Sequence, residues 1–440
     1  MDERTQKYVN NLSAMIRKET VSERNQEDKT KFLEFHQLLR ELFPAIFAVC
    51  EYEEFEGSFL LKWKGTRPGA APVLFMNHHD TVEAQGAWRH PAFAGELADG
   101  KLWGRGTLDT KGGLFGMLQA ADELAAEGFT PECDIYFESA CTEETDGKGA
   151  QHFTEVLKQR GIRFSFALDE GGMIMNEPVS GVKGTYAMIG MGEKGLAELN
   201  FIARGKGGHA SSPEPNTPLV RLAKFITEVE SKKVFDVELT PVIKEMLRRF
   251  APSVPGALKI VYANPDLFAP ILKSVMSKSS GTSRAFLQTT IAFTMAKGSD
   301  GHNVIPAEAK VAGNMRVSHH QGYEKSLAAI KTIADKYDIE TEIQEAAKDS
   351  PLADYNSESF KLMERAVEHA FPGVASAPYI MTGCSDCRFL FEVSDVCYHF
   401  VPFLIDKEQM ESIHGINECV DVDTLAPAVD FYKYLMREVR

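Results

Sequence analysis

The sequence predicts an α/β protein: a mostly parallel sheet with helices on both faces, interrupted by an inserted α+β unit. Three observations carry that reading. Apolar strand-like runs alternate with helical patterns before residue 190, as expected of parallel strands joined by crossover helices. Near Gly192 the texture changes to alternating strands and amphipathic helices. After Pro351, helix, strand and loop return. The expected organisation is a main domain over 1–190 and 349–440, with an inserted domain over 191–348.

The elements follow in order. PVLFMNHHD reads as a buried strand ending in polar residues, and KGGLFGMLQAADELAAEG as a helix that opens on glycines and closes at Gly128. CDIYFESACTEE is a second strand, QHFTEVLKQRG a helix and RFSFALDEGG a third strand. In such sheets the ligand site lies beyond the carboxyl ends of the strands. His78, Asp80, Glu143, Glu144, Asp169 and Glu170 all fall there. In the insert, GLAELNFIARGKGGHASS reads as an antiparallel edge or hairpin strand followed by a glycine turn, and PNTPLVRLAKFITEVES as an amphipathic helix. TTIAFTMAKGSDGHNVIPAEAKVAGNMRV reads as two strands joined by a loop, GYEKSLAAIKTIADKY as a helix, and IETEIQEA as a last alternating strand. Residues 235–283 fit neither pattern and read as an elaboration of the insert. DTLAPAVDFYKYLMREVR forms a C-terminal helix, and the chain has no internal repeats.

Composition narrows the functional classes. With 440 residues and 44% hydrophobic content the chain can bury a large core. A formal net charge of −15 argues against nucleic-acid binding and against docking on an anionic membrane, since both need a basic face. No apolar run approaches the roughly 20 residues that span a bilayer. The opening MDERTQKYVNNLSAMIRKET is charged at once and lacks an apolar signal-peptide core. Seven scattered cysteines suit free thiols in a reducing cytoplasm. Cys384-Ser-Asp-Cys387 has zinc-knuckle spacing, but no second Cys/His pair accompanies it.

The chemistry resides in histidines and carboxylates, a donor set that suits divalent ions such as Zn²⁺. Side chains alternate along a strand, so His78 and Asp80 can share a side while His79 points away. That fits a ligand histidine oriented by a carboxylate; alone, the residues would pass for a polar loop. Asp109 sits between glycines just ahead of a helix, where a carboxylate can bridge two ions. Alone, a helix N-cap is the simpler account. Glu143 and Glu144 cannot share one direction on a strand, which invites a division of labour between metal binding and proton transfer. Their bland alternative is a solvated acidic turn. Asp169-Glu170 offers a further carboxylate, and the sequence leaves open which of the two faces the metal. His414, in IHGINE, is by itself polar surface. His209 lies in RGKGGHASSP, which lacks the Gly-Lys-Ser/Thr ending of a phosphate loop. Arg316, 316 − 303 = 13 positions after Asn303, can pair with a substrate carboxylate from a strand, or simply with an exposed acid.

Together, NHHD, GRGTLDTKGG, CTEETDGKGA, ALDEGG, GKGGHASSP, HNVIP, TGCSDCRF and IHGINE occur in an order that resembles the zinc-dependent amidohydrolase and exopeptidase family. That family includes aminoacylase, succinyl-diaminopimelate desuccinylase, glutamate carboxypeptidase and yeast carboxypeptidase S. LDEGG and GEKG are most similar to the carboxypeptidase S-like branch. The resemblance implies a zinc-exopeptidase-like sheet whose inserted domain acts as lid and dimerisation unit. It implies two divalent ions, Zn²⁺ first and Co²⁺ or Mn²⁺ as alternatives. His78 and His414 would each bind one ion, with Asp109 bridging, Glu144 on one side and Asp169 on the other, Glu170 being its substitute. Glu143 would be the general base and acid, and Asp80 would orient His78. His209 would stabilise an oxyanion, often from a neighbouring subunit, while Asn303, Arg316 and Gly383 would hold the substrate.

Two positions depart from the family pattern: Asn77 stands where glycine is usual, and Cys384 where Thr or Ser is. Neither removes a ligand. The expected activity is hydrolysis of a peptide or amide bond beside a free carboxylate, in a small peptide or an N-acyl amino acid. The competing readings are a non-catalytic binding member of the same fold and a di-metal phosphoesterase. The first requires a missing ligand or base, the second a basic phosphate pocket.

Overall fold

A computed structural model describes residues 1–179, 181–347 and 350–440. The expected domain junction at 348–349 lies outside the described residues. Among those described, a ten-stranded sheet forms the centre of the protein. Val73–Met76 runs parallel to Ile135–Ser139 on one side and to Phe166–Asp169 on the other, and Cys397–His399 extends the parallel set. Antiparallel pairs flank this parallel set: Glu51–Phe55 and Ser58–Trp63 form a hairpin beside Ile135–Ser139, and on the other side Thr185–Glu193 pairs antiparallel with Cys397–His399 and with Ile174–Asn176. The inner strands are buried along their whole length and mostly apolar, as expected where both faces are covered.

Lys111–Ala126 is almost wholly buried and lies against Leu425–Glu438. Its glycine-rich opening permits that depth: a Cβ on Gly113 would come 2.0 Å from Asn77 Oδ1. The site follows from this architecture. His78, Glu143 and Glu144 leave the ends of neighbouring parallel strands, while Asp169 and His399 close two more.

A separate four-stranded antiparallel sheet has the order Thr290–Lys297, Glu308–Val317, Gly195–Arg204, Ile339–Ala347. Helices Pro218–Ser231 and Gly322–Lys336 cover one face, with Phe201, Phe225, Met315 and Ile330 at its core. The strands and helices expected between 195 and 347 form at those positions, but Gly195–Arg204 is not the edge or hairpin strand expected: it lies inside the sheet, paired on one side with Glu308–Val317 and on the other with Ile339–Ala347.

Residues 235–283 behave differently from an elaboration of that sheet. Pro241–Phe250, Leu258–Ala263, Ala269–Ser279 and Gly281–Leu287 are helices. Val242, Ile243, Met246, Leu247, Phe250, Leu272 and Met276 join the core of the large sheet instead. The first of these helices has Thr240 as N-cap and Pro241 at its start. It packs on strand Ala375–Met381, and Phe250 meets Tyr186 edge-on at 4.8 Å. No helix among the described residues is long and apolar enough to cross a membrane.

Candidate active site

The geometry centres on Asp109. Its Oδ1 lies 3.0 Å from His78 Nε2, and its Oδ2 lies 3.0 Å from His414 Nε2. One carboxylate thus faces two imidazoles from residues far apart in the chain. The N-cap of the following helix is Thr110, so capping does not account for Asp109. Glu144 Oε2 is 3.1 Å from the same His414 Nε2, while Glu144 Oε1 is buried with no hydrogen-bond partner among the described residues. Ligand atoms of His78, Asp109 and Glu144 all lie within 4.8 Å of one another. Burial alone would depress the His78 imidazole, but Asp109 and Asp80 outweigh it and hold it well above its usual range. Asp109 and Glu144 raise His414 to about 10.

Asp80 does more than face His78. Its Oδ1 is 3.3 Å from His78 Nδ1 and accepts from Glu143 N at 3.3 Å. Its Oδ2 accepts from Glu144 N at 3.1 Å and from Ser22 Oγ at 2.7 Å. One fully buried carboxylate therefore fixes the histidine and the backbone of both glutamates. His79 points away, into Phe32, Phe35 and Phe59, as strand alternation requires.

Glu143 is nearly buried, and desolvation pushes its carboxyl up to about 7 against the pull of His78 and Arg388. Arg388 Nη1 stands 3.4 Å from Glu143 Oε1. A carboxyl balanced near neutrality can both take and give a proton. Asp169 commits its two oxygens to backbone amides, from Glu170 at 2.9 Å and Cys387 at 3.2 Å. The Glu170 carboxyl is instead raised by burial and by the charges of Asp169, Asp109 and Glu143.

The substrate-side residues divide into two groups. Arg316 Nη1 donates to Cys384 Sγ at 2.9 Å, which brings Arg316 to the loop that carries Gly383. His209 and Asn303 sit together on an exposed two-stranded ladder, where Ala210 N donates to Asn303 O at 3.0 Å. The His209 ring contacts Ser211 Oγ at 2.8 Å, and among the described residues it has no hydrogen bond or ion pair to the cluster.

Sequence reasoning passed over several residues here. Arg388 and Asp386 stand in the quoted TGCSDCRF, and Arg105 and Glu418 in the quoted GRG and IHGINE motifs. A charged residue inside a motif that otherwise reads as glycine turn was the available signal. Glu138 was also missed. It interrupts the apolar run CDIYFESACT, is fully buried without a hydrogen-bond partner among the described residues, and is pushed by desolvation to about 8.

A carboxylate facing two imidazoles at the strand ends of an α/β sheet, beside a buried glutamate, makes a candidate metal centre, and the family to which the chain belongs makes it a hydrolytic enzyme acting on peptide or amide bonds. Residues 74–438 match Peptidase family M20/M25/M40, and the chain belongs to that family. It is 30% identical to the N-fatty-acyl-amino acid synthase/hydrolase PM20D1 of Xenopus tropicalis, over 98% of this chain and 85% of the frog protein. It is 29% identical to the probable carboxypeptidase S-like 2 of Dictyostelium discoideum, over 92% of this chain and 79% of that protein. Its fold is similar to that of the M20 family metallo-carboxypeptidase Sso-CP2 from Sulfolobus solfataricus, with a TM-score of 0.72 at 17% identity and 99% coverage of each chain. Human carnosine dipeptidase 1 superposes with a TM-score of 0.67 at 14% identity, covering 99% of this chain and 96% of that one.

Proposed function

We propose that the protein is a dinuclear metallohydrolase that cleaves an amide bond next to a free carboxylate, in an N-acyl amino acid or a small peptide. The observation that carries this reading is Asp109, with one oxygen 3.0 Å from each of two histidine nitrogens. The residues fit the ions. Oxygen and imidazole donors suit Zn²⁺, with Co²⁺ and Mn²⁺ as alternatives, and Glu144 Oε1, buried with no hydrogen-bond partner among the described residues, is an acceptor that suits a cation. His78 and Asp109 would hold one ion, and His414, Asp109 and Glu144 the other. For the remaining carboxylate of the first ion the contacts favour Glu170 over Asp169, whose oxygens are taken by amides.

When bound, the ions supply Lewis acidity to a water molecule and to the scissile carbonyl. The chain supplies the rest. Glu143 takes a proton from the attacking water and delivers it to the leaving nitrogen, while Arg388 and Asp80 hold the glutamate in place. Arg316, beside Cys384 and Gly383, receives the substrate carboxylate. His209 and Asn303 reach the substrate only when the inserted domain moves or a second copy presents them. The exposed edge strand Thr290–Lys297 supports a homodimer through that domain. The relatives' names favour an acyl-amino-acid or C-terminal peptide substrate, and seven free cysteines favour the cytoplasm. A non-catalytic role would predict loss of the base, which is present.

The test is hydrolysis of N-acyl amino acids and dipeptides, compared with their carboxamide-capped analogues, before and after chelation. Chelator-sensitive turnover that disappears on capping is expected. Turnover indifferent to chelator, or equal on capped substrates, would overturn the reading.

A further inference from the structure

Arg105 and Glu418 form a buried charge pair that none of the roles above uses. They are 1% and 0% exposed, and Arg105 Nη1 donates to Glu418 Oε2 at 2.6 Å. The other oxygen, Oε1, accepts from three amides of one loop: Gly106 at 3.1 Å, Leu108 at 2.8 Å and Asp109 at 3.2 Å. Arg105 Nη2 meanwhile donates at 2.7 Å to Gly415 O, one residue beyond His414. One carboxylate thus grips the loop bearing Asp109, and its partner guanidinium grips the loop bearing His414.

Two features show why such a grip is needed. A buried ion pair adds little net stability, because desolvation offsets its attraction, so stability alone does not account for this one. The His414 loop is also unusually dependent on outside anchors. His414 and Asn417 adopt left-handed backbone angles, φ 58° and 62°, that non-glycine residues hold only when their surroundings impose them. The His414 side chain is 54% exposed, so packing does not fix it.

We propose that Arg105 and Glu418 are positioning residues that hold Asp109 and His414 at metal-binding spacing and thereby set the affinity for the ion those two share. The inference rests on the reading of Asp109 and His414 as ligands. Neither clamp residue touches substrate or ion; each acts through a backbone group next to a ligand. Loosening the clamp should therefore leave Glu143 and Arg316 in place while the imidazole of His414 wanders from Asp109 Oδ2.

The experiment titrates the metal-free full-length protein with Zn²⁺ against a chromophoric chelator, for wild type, Glu418→Gln and the double variant R105M/E418Q. Far-UV circular dichroism and thermal melts of the metal-free samples check folding. The double variant guards against misfolding, since it removes both charges and leaves no unpaired buried ion. We expect two ions per wild-type chain, and ~10–100-fold weaker binding of one ion in the folded variants, the range seen when groups supporting a ligand are lost. At saturating Zn²⁺, KM should stay near wild type. Folded variants that bind both ions as tightly as wild type would overturn the clamp. A wild type that binds no zinc would instead overturn the metal-centre reading, and the clamp with it.

Discussion

Replacing Glu143 with glutamine should do two opposite things at once, and the structure sets the size of both. Glutamine keeps the shape but can neither accept the proton of the attacking water nor return it. Loss of a positioned acid–base group costs roughly 10²–10⁴ in rate, or about 3–5 kcal/mol of transition-state stabilisation. The same change should stabilise the metal-free fold. The Glu143 carboxyl is raised by burial from 4.5 to about 7, and its side chain is 12% exposed. A carboxyl whose pKa is raised on folding contributes no penalty below its unfolded value. The penalty grows as pH climbs from 4.5 and is complete above about 7. At 1.36 kcal/mol for each pH unit, (7 − 4.5) × 1.36 gives about 3 kcal/mol as the ceiling. Urea unfolding of chelator-treated wild type and Glu143→Gln should therefore diverge by up to that amount at pH 8 and converge near pH 4.5. Metal content should be unchanged and turnover nearly abolished. A variant that hydrolyses substrate at the wild-type rate, or that gains no stability at pH 8, would refute both the assignment of the base and the reasoning from burial.

Two further outcomes follow from the contacts. Glu170→Gln should lose one of two bound ions by elemental analysis, whereas Asp169→Asn should retain both and instead lower the melting temperature. The second change disturbs the acceptor for the Glu170 and Cys387 amides, worth ~1–3 kcal/mol if left unsatisfied; the reverse pattern would restore Asp169 as the ligand. Arg316→Met should raise KM for carboxylate-bearing substrates by roughly 10–100-fold, the ~1.5–3 kcal/mol of a hydrogen bond to a charged group, with a much smaller effect on capped analogues. An equal loss on both substrates would mean that Arg316 supports only the Cys384 loop.

What could be read in advance was whatever short-range geometry controls. Alternation along a strand sends His78 and Asp80 one way and His79 the other, and the structure shows that division. Amphipathic spacing foretold the helices that cover the four-stranded sheet. Residues 235–283 fit neither pattern in the sequence, and the structure makes Val242, Ile243, Met246, Leu247 and Phe250 the buried face of a helix whose receiving surface no local pattern names. That surface belongs to the large sheet, at Ala375–Met381, a strand that lies more than a hundred residues downstream.

The choice between Asp169 and Glu170 has the same origin. Asp169 closes a strand and Glu170 follows it, and local pattern permits either to face the ions. The amide of Cys387, 218 positions away, takes an Asp169 oxygen, a contact that no local pattern foretells. Glu418 reaches back 309 positions to the Asp109 amide, and Arg388 reaches 245 to the Glu143 carboxylate. Ligands announce themselves because their chemistry narrows the residue types that can serve. The groups that aim them act through backbone amides, which any residue carries. Their partners emerge only when the chain has folded and the distant loops meet.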